Sequence, residues 1–181
     1  MKEIIGQILS IVAVIMGFVS FQMKKPRGVL TFQLITALIF SAHYLLIDAL
    51  TAVGLNLISA IQCICYYFRD KRKKKSFVIT IFFSVIIIIT SILTWSGWYT
   101  MFIMNGLVVL NIGFAFSVRT IRKMNLIKSP LCLLYNVCVL SIGGIAYEMA
   151  TFISSIIAII KAQIQKKTEK TVNGAKSNEK I

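Results

Sequence analysis

The sequence predicts an all-α integral membrane protein with seven transmembrane helices in a 3+1+3 arrangement, two parallel three-helix repeats joined by a linking helix. Three observations predict it. Apolar residues make up 57% of the 181-residue chain and the mean hydropathy is +0.83, beyond the roughly 45–50% apolar content of soluble domains. Those residues gather into seven runs close to the ~20 residues needed to cross a bilayer core about 30 Å thick. Lysine and arginine collect in alternate breaks between the runs, as the positive-inside rule requires.

The first run, 4–21, follows Lys2 and has the length of a secretory leader. No small-residue cleavage site follows it, and Lys24, Lys25 and Arg27 lie after it rather than before, so a retained first helix is expected. Runs 29–47 and 50–68 come next, parted only by the stretch around Asp48. Run 77–95 follows the basic stretch 69–75; 98–118 follows Ser96-Gly97; 126–142 follows the polar, basic stretch 119–125; and 145–162 follows Gly143-Gly144. Nineteen of the twenty basic residues, Lys128 included, then fall in the first, third and fifth breaks and the C-terminal segment, with Lys2 alone on the other face. That asymmetry predicts a multi-pass protein with its N-terminus outside and its C-terminus in the cytoplasm. Trp95, Trp98 and Tyr99 would sit at the outer interface, and Tyr66 and Tyr67 at the inner one. Residues 1–165 form one expected transmembrane domain, whereas 166–181 are polar without apolar periodicity and are expected to form a disordered cytoplasmic tail.

An internal repeat emerges when the chain is shifted by 92 positions. Arg27 then meets Arg119, Ser59 meets Thr151, Ile61 meets Ile153, Ile64 meets Ile156 and Arg69 meets Lys161. The first repeat spans about 4–69 and the second about 97–162. Three helices is an odd number, so a direct fusion would invert one copy across the membrane; a fourth helix restores the parallel relation. Run 77–95, whose centre Phe82-Phe83-Ser84-Val85-Ile86-Ile87-Ile88-Ile89 is the least polar stretch, fits that linker. Parallel repeats with a solute site between the halves are a transporter plan.

Polar groups inside apolar helices need partners and face the bundle interior or a water-filled cavity. Asn56, Ser59 and Cys63 recur at the spacing of one helix face, and the shifted positions are Glu148, Thr151 and Ser155. Gln33, Thr36, His43 and Tyr44 lie on the second helix; Tyr135 and Asn136, the repeat partners of His43 and Tyr44, on the sixth; Asn105 and Asn111 on the fifth. Candidate solute-binding residues are therefore Asn56, Ser59, Glu148, Thr151, His43, Asn136 and Asn105. The competing assignment is hydrogen bonding between helices, which small and polar residues also serve. His43 is a candidate for proton coupling or a structural hydrogen-bonder, and Glu148, a turn into its helix, either lines the path or reaches the outer interface.

Other function classes are disfavoured. A net charge of +14 suggests nucleic acid only when spread over a solvated face, and here it is confined to breaks and the tail. Cys63, Cys65, Cys132 and Cys138 fall in apolar runs without zinc or redox spacing, so no metal is implied. No zinc-protease, phosphate-loop or nucleophile-triad motif is present; neither an enzyme nor a cofactor is expected.

His43-Tyr44-Leu45-Leu46, the helix ending Tyr67-Phe68-Arg69, then Tyr135-Asn136, Ser141-Ile142-Gly143-Gly144 and Glu148 together resemble the YgjV family of bacterial inner-membrane proteins, over about residues 4–165. The resemblance implies the bacterial cytoplasmic membrane and supplies no substrate. In architecture alone the chain is similar to SWEET and PQ-loop carriers, whose third helix in each repeat presents an asparagine to sugar. Asn56 resembles that residue, but its partner is Glu148, which departs from the paired asparagines. Helix prolines, the hinges of those carriers, are also missing, since Pro26 lies in a break and Pro130 near the expected start of the sixth helix. Two functions stay open. One is a carrier or facilitator of a small polar solute; the other is a non-transporting membrane protein that acts as an interaction partner or sensor through its basic loops.

Overall fold

The computed structural model describes residues 2–23, 25–71, 77–116 and 118–178. Seven helices and no strand occur among the described residues: α1 Lys2–Gln22, α2 Pro26–Leu46, α3 Leu50–Lys71, α4 Phe77–Leu93, α5 Thr100–Phe116, α6 Val118–Cys138 and α7 Ile142–Asn178. Three of them, over Arg27–Leu46, Leu50–Arg69 and Ile142–Ile164, are long and apolar enough to cross a membrane. Shorter apolar helices run over Ile4–Ser20, Phe77–Leu93 and Thr100–Phe116. Pro26 occupies the first turn of α2, where its missing N–H costs nothing.

Two expected boundaries move. Residues 119–125 are not a break but the first turns of α6, so the sixth helix begins at Val118 and Pro130 lies inside it. Gly143-Gly144 is likewise not a break; both glycines belong to the first turn of α7, and the turn falls at 139–141. α7 continues through Asn178 into the segment whose composition reads as a tail, and side chains beyond Ile164 lie outside the described residues. Residues 72–75 of the basic run also lie outside them.

Each helix packs on its chain neighbour except at the α7 end, where α7 returns to α1. α3 meets both α4 and α5, so α1, α2, α3, α5, α6 and α7 close a ring and α4 sits outside the α3–α5 seam. Thr80, Phe83, Ile87 and Ser91 form the buried stripe of α4, while Phe82, Val85, Ile88, Ile89 and Ile92 face outward. The α1–α7 contact is close because of Gly143, where a Cβ would overlap the side chain of Ser10; small residues let helix backbones approach in this way.

The turns after α2 and α6 are built alike. Asp48 and Leu140 are the non-glycine residues with positive φ among those described, at 57° and 54°. Around Asp48, Ala49 N donates to Tyr44 O (2.9 Å) and Asp48 N to Leu45 O (3.4 Å). Around Leu140, Ser141 N donates to Asn136 O (3.0 Å) and Leu140 N to Val137 O (3.3 Å). Both are Schellman closures, in which a left-handed residue lets the chain satisfy the last helical carbonyls. Every atom pair in the second turn stands 92 positions after its counterpart in the first.

Below α4 the interior is polar. Tyr66 Oη donates to Asn111 Oδ1 (2.7 Å) and lies 3.0 Å from Thr80 Oγ1, while Asn111 Nδ2 donates to Thr80 O (2.7 Å) and Ser84 Oγ (2.9 Å). Tyr66 is thus wholly buried rather than interfacial; Tyr67 is half-buried. Arg69 donates through Nη1 to Ala115 O (3.0 Å) and through Nη2 to Phe114 O (2.9 Å), a cation on carbonyls of the last turn of α5.

Candidate functional site

A cavity of about 60 Å³ lies inside the ring, walled by α2, α3, α5, α6 and α7. Its charged element is an ion pair between Lys128 Nζ of α6 and Glu148 Oε1 of α7, with side chains only 7% and 5% exposed. Lys128 stands about 15 Å from the end of α6, and Glu148 about 9 Å from the start of α7, at ~1.5 Å per residue. Both are therefore deep in the bundle. The Tyr147 ring lies 5.3 Å from Lys128 Nζ, a further stabiliser of a desolvated cation. Glu148 Oε2 is buried beside the Ser129 hydroxyl and makes no well-formed hydrogen bond among the described residues.

Lys128 is the residue that the sequence reasoning missed. In the sequence it groups with the basic break, because Arg119, Arg122 and Lys123 precede it, yet α6 carries those three in its first turns and holds Lys128 near its middle. A signal existed: the 92-residue shift that pairs Asn56 with Glu148 also pairs Thr36 with Lys128. Four such pairs line the cavity, namely Thr36 with Lys128, Phe40 with Cys132, Tyr44 with Asn136, and Asn56 with Glu148. One of these pairs meets directly, because Tyr44 Oη donates to Asn136 Oδ1. Gly144 makes room for that amide, since a Cβ there would overlap Asn136 Oδ1.

Four of the seven candidate residues are brought together. Asn56, Ser59, Asn136 and Glu148 line the cavity. Asn56 Nδ2 donates to Ala52 O (2.8 Å) and Ser59 Oγ to Leu55 O (2.9 Å), which leaves each an oxygen able to accept from a solute. Thr151 is buried but turned back on its own helix, donating to Tyr147 O (2.8 Å). Asn105 is exposed on the outside of α5 and donates to Met101 O (2.8 Å).

His43 lies fully buried outside the cavity wall and ties three elements together. A carbonyl can only accept, so Nδ1 carries the proton and donates to Gly6 O of α1 (2.8 Å). Nε2 then accepts from Ser141 Oγ (2.7 Å), and Ser141 Oγ accepts from Gly144 N (3.1 Å) as the N-cap of α7. Both ring nitrogens are committed to structure. The cavity wall on this side is aromatic, with Phe40 and Tyr44 stacked at 5.8 Å and Phe40 edge-on to Tyr147 at 5.0 Å.

A ring of helices, most of them apolar, around a buried and charged cavity defines a class: a helical bundle with an internal polar site, several of whose helices could cross a bilayer. A family model described as bacterial inner membrane protein, Imp-YgjV, matches residues 4–166. The chain belongs to that family, and its environment is the lipid bilayer of a bacterial inner membrane. No curated protein and no solved structure matches the chain.

Proposed function

We propose that the protein is a carrier or facilitator for a small polar solute, whose binding site is the cavity between two three-helix repeats. The observation that carries this proposal is the cavity wall. It combines a buried ion pair with Asn56, Ser59 and Asn136, and both halves of the chain contribute to it, in part through four 92-residue pairs. Charged groups are held in a membrane interior at a cost, and they mark solute and ion pathways. The paired Schellman turns and the helix neighbours support a 3+1+3 plan, because the shift carries α1–α2 onto α5–α6, α2–α3 onto α6–α7 and α3–α5 onto α7–α1. α4 is left as the linker. In this plan the ends bearing Asp48, Gly97 and Leu140 face outward and the basic ends face the cytoplasm. Pro130, inside α6 two residues from Lys128, gives that helix a point of weakness of the kind rocking requires.

Uptake by purified protein in liposomes, screened over sugars, nucleosides and amino acids, tests the proposal. At least one solute should enter faster than into protein-free liposomes, and Asn56→Leu should slow it without lowering the amount of protein incorporated. No flux of any solute would count against a carrier. The closed hydrogen-bond sets at Tyr66–Asn111–Thr80 and Gly6–His43–Ser141 would then favour the second function, a static membrane protein acting through its basic segments.

A further inference from the structure

We infer that the solute is a small zwitterion, a compound bearing one carboxylate and one ammonium group, bound by splitting the Lys128–Glu148 pair. This rests on the cavity being a solute site, as proposed above. The charge of the cavity decides the class. Lys128 and Glu148 neutralise each other with both side chains more than nine-tenths buried, and Glu148 Oε2 lies beside the Ser129 hydroxyl without a well-formed hydrogen bond among the described residues.

A ligand that enters must leave neither charge uncompensated, since an unpaired buried charge is far costlier than a paired one. An anion would satisfy Lys128 and strand Glu148. A cation would do the reverse. A zwitterion satisfies both, its carboxylate replacing Glu148 at Lys128 Nζ and its ammonium replacing Lys128 at the carboxylate of Glu148. The Tyr147 ring, already 5.3 Å from Lys128 Nζ, and Phe40 packed against it give the cationic end an aromatic neighbour. The oxygens of Asn56 and Ser59 supply acceptors for the remaining ammonium protons.

Size points the same way. A cavity of about 60 Å³ is well below the ~300–1,000 Å³ of pockets that take drug-sized ligands. Its ligand is therefore small, with the two charges close together as in an α-amino acid of short side chain.

Thermal melting of the purified full-length protein with glycine, acetate, methylammonium or glycerol at equal concentration tests the inference. Glycine should raise the melting temperature by several degrees, and the other three should leave it near that of the free protein. An equal or larger rise with acetate, methylammonium or glycerol would overturn it, as would no rise with glycine. The double variant Lys128→Met with Glu148→Leu keeps the cavity neutral and should melt cooperatively while losing the glycine-dependent rise; a retained rise would place glycine elsewhere. The four-ligand comparison on the unmodified protein decides the matter even if that variant fails to fold. Failure of the carrier proposal looks different: a glycine-dependent rise with no flux of any solute sinks transport and keeps the zwitterion site, whereas glycerol flux without a glycine effect sinks the zwitterion alone.

Discussion

A lysine buried inside a helical bundle is stable only if something answers its charge, and Glu148 does so from the neighbouring helix. Removing either partner alone strands the other in a medium that solvates it poorly. Lys128→Met or Glu148→Leu should each therefore lower the unfolding free energy in detergent by about 3–5 kcal/mol. The double variant should return to within about 1 kcal/mol of the parent, because two apolar side chains of similar volume replace a neutral pair. Additive losses in this double-mutant cycle would show that the two charges do not interact. The candidate site was half legible at this scale. Asn56, Ser59, Glu148 and Asn136 could be found because polar residues at helical spacing reveal a face even without coordinates. Lys128 was hidden because three basic residues precede it, and composition cannot tell a helix that starts early from a charged break. Asn105 and Thr151 differ in place rather than in bonding: each donates to its own helix, as Asn56 and Ser59 do, but neither lies on the cavity wall.

Among the elements, the clearest are those with continuous apolar sequence, and α4 is the plainest case. Its outward face is isoleucine, valine and phenylalanine, and its buried stripe includes Thr80 and Ser91 at helical spacing. Turns were harder to place. The glycines at 143–144 look like a helix stop, yet they are there for close packing against Ser10 and Asn136, and the stop is made by Leu140 in a left-handed conformation. Leucine is a poor choice for that conformation, and its side chain is 78% exposed, so little packing would be lost by removing it. Leu140→Gly is expected to raise stability by about 0.5–1 kcal/mol, as relief of Cβ strain outweighs the added freedom of the unfolded chain. Asp48→Gly should gain less, because aspartate visits that conformation more readily. Denaturant titration of the two variants checks this, and a loss of stability at Leu140→Gly would contradict it.

For the whole molecule, the two halves are related less by identity than by what they build. Their turns close through the same hydrogen bonds, their helices choose the same neighbours, and Tyr44 meets its own repeat counterpart Asn136 where the halves touch. On the cavity wall, Thr36 and Asn56 stand 92 positions before Lys128 and Glu148, so the charge lies on α6 and α7 alone. The central claim is that this wall belongs to a solute path reachable in turn from each face of the membrane. The most direct measurement is the reaction of a single cysteine, Ser59→Cys in a background lacking the four native thiols, with a membrane-impermeant thiol reagent. Applied to right-side-out and inside-out vesicles separately, the reagent is predicted to modify the cysteine from both faces. Modification from one face only, or from neither while the unfolded protein reacts fully, would contradict it.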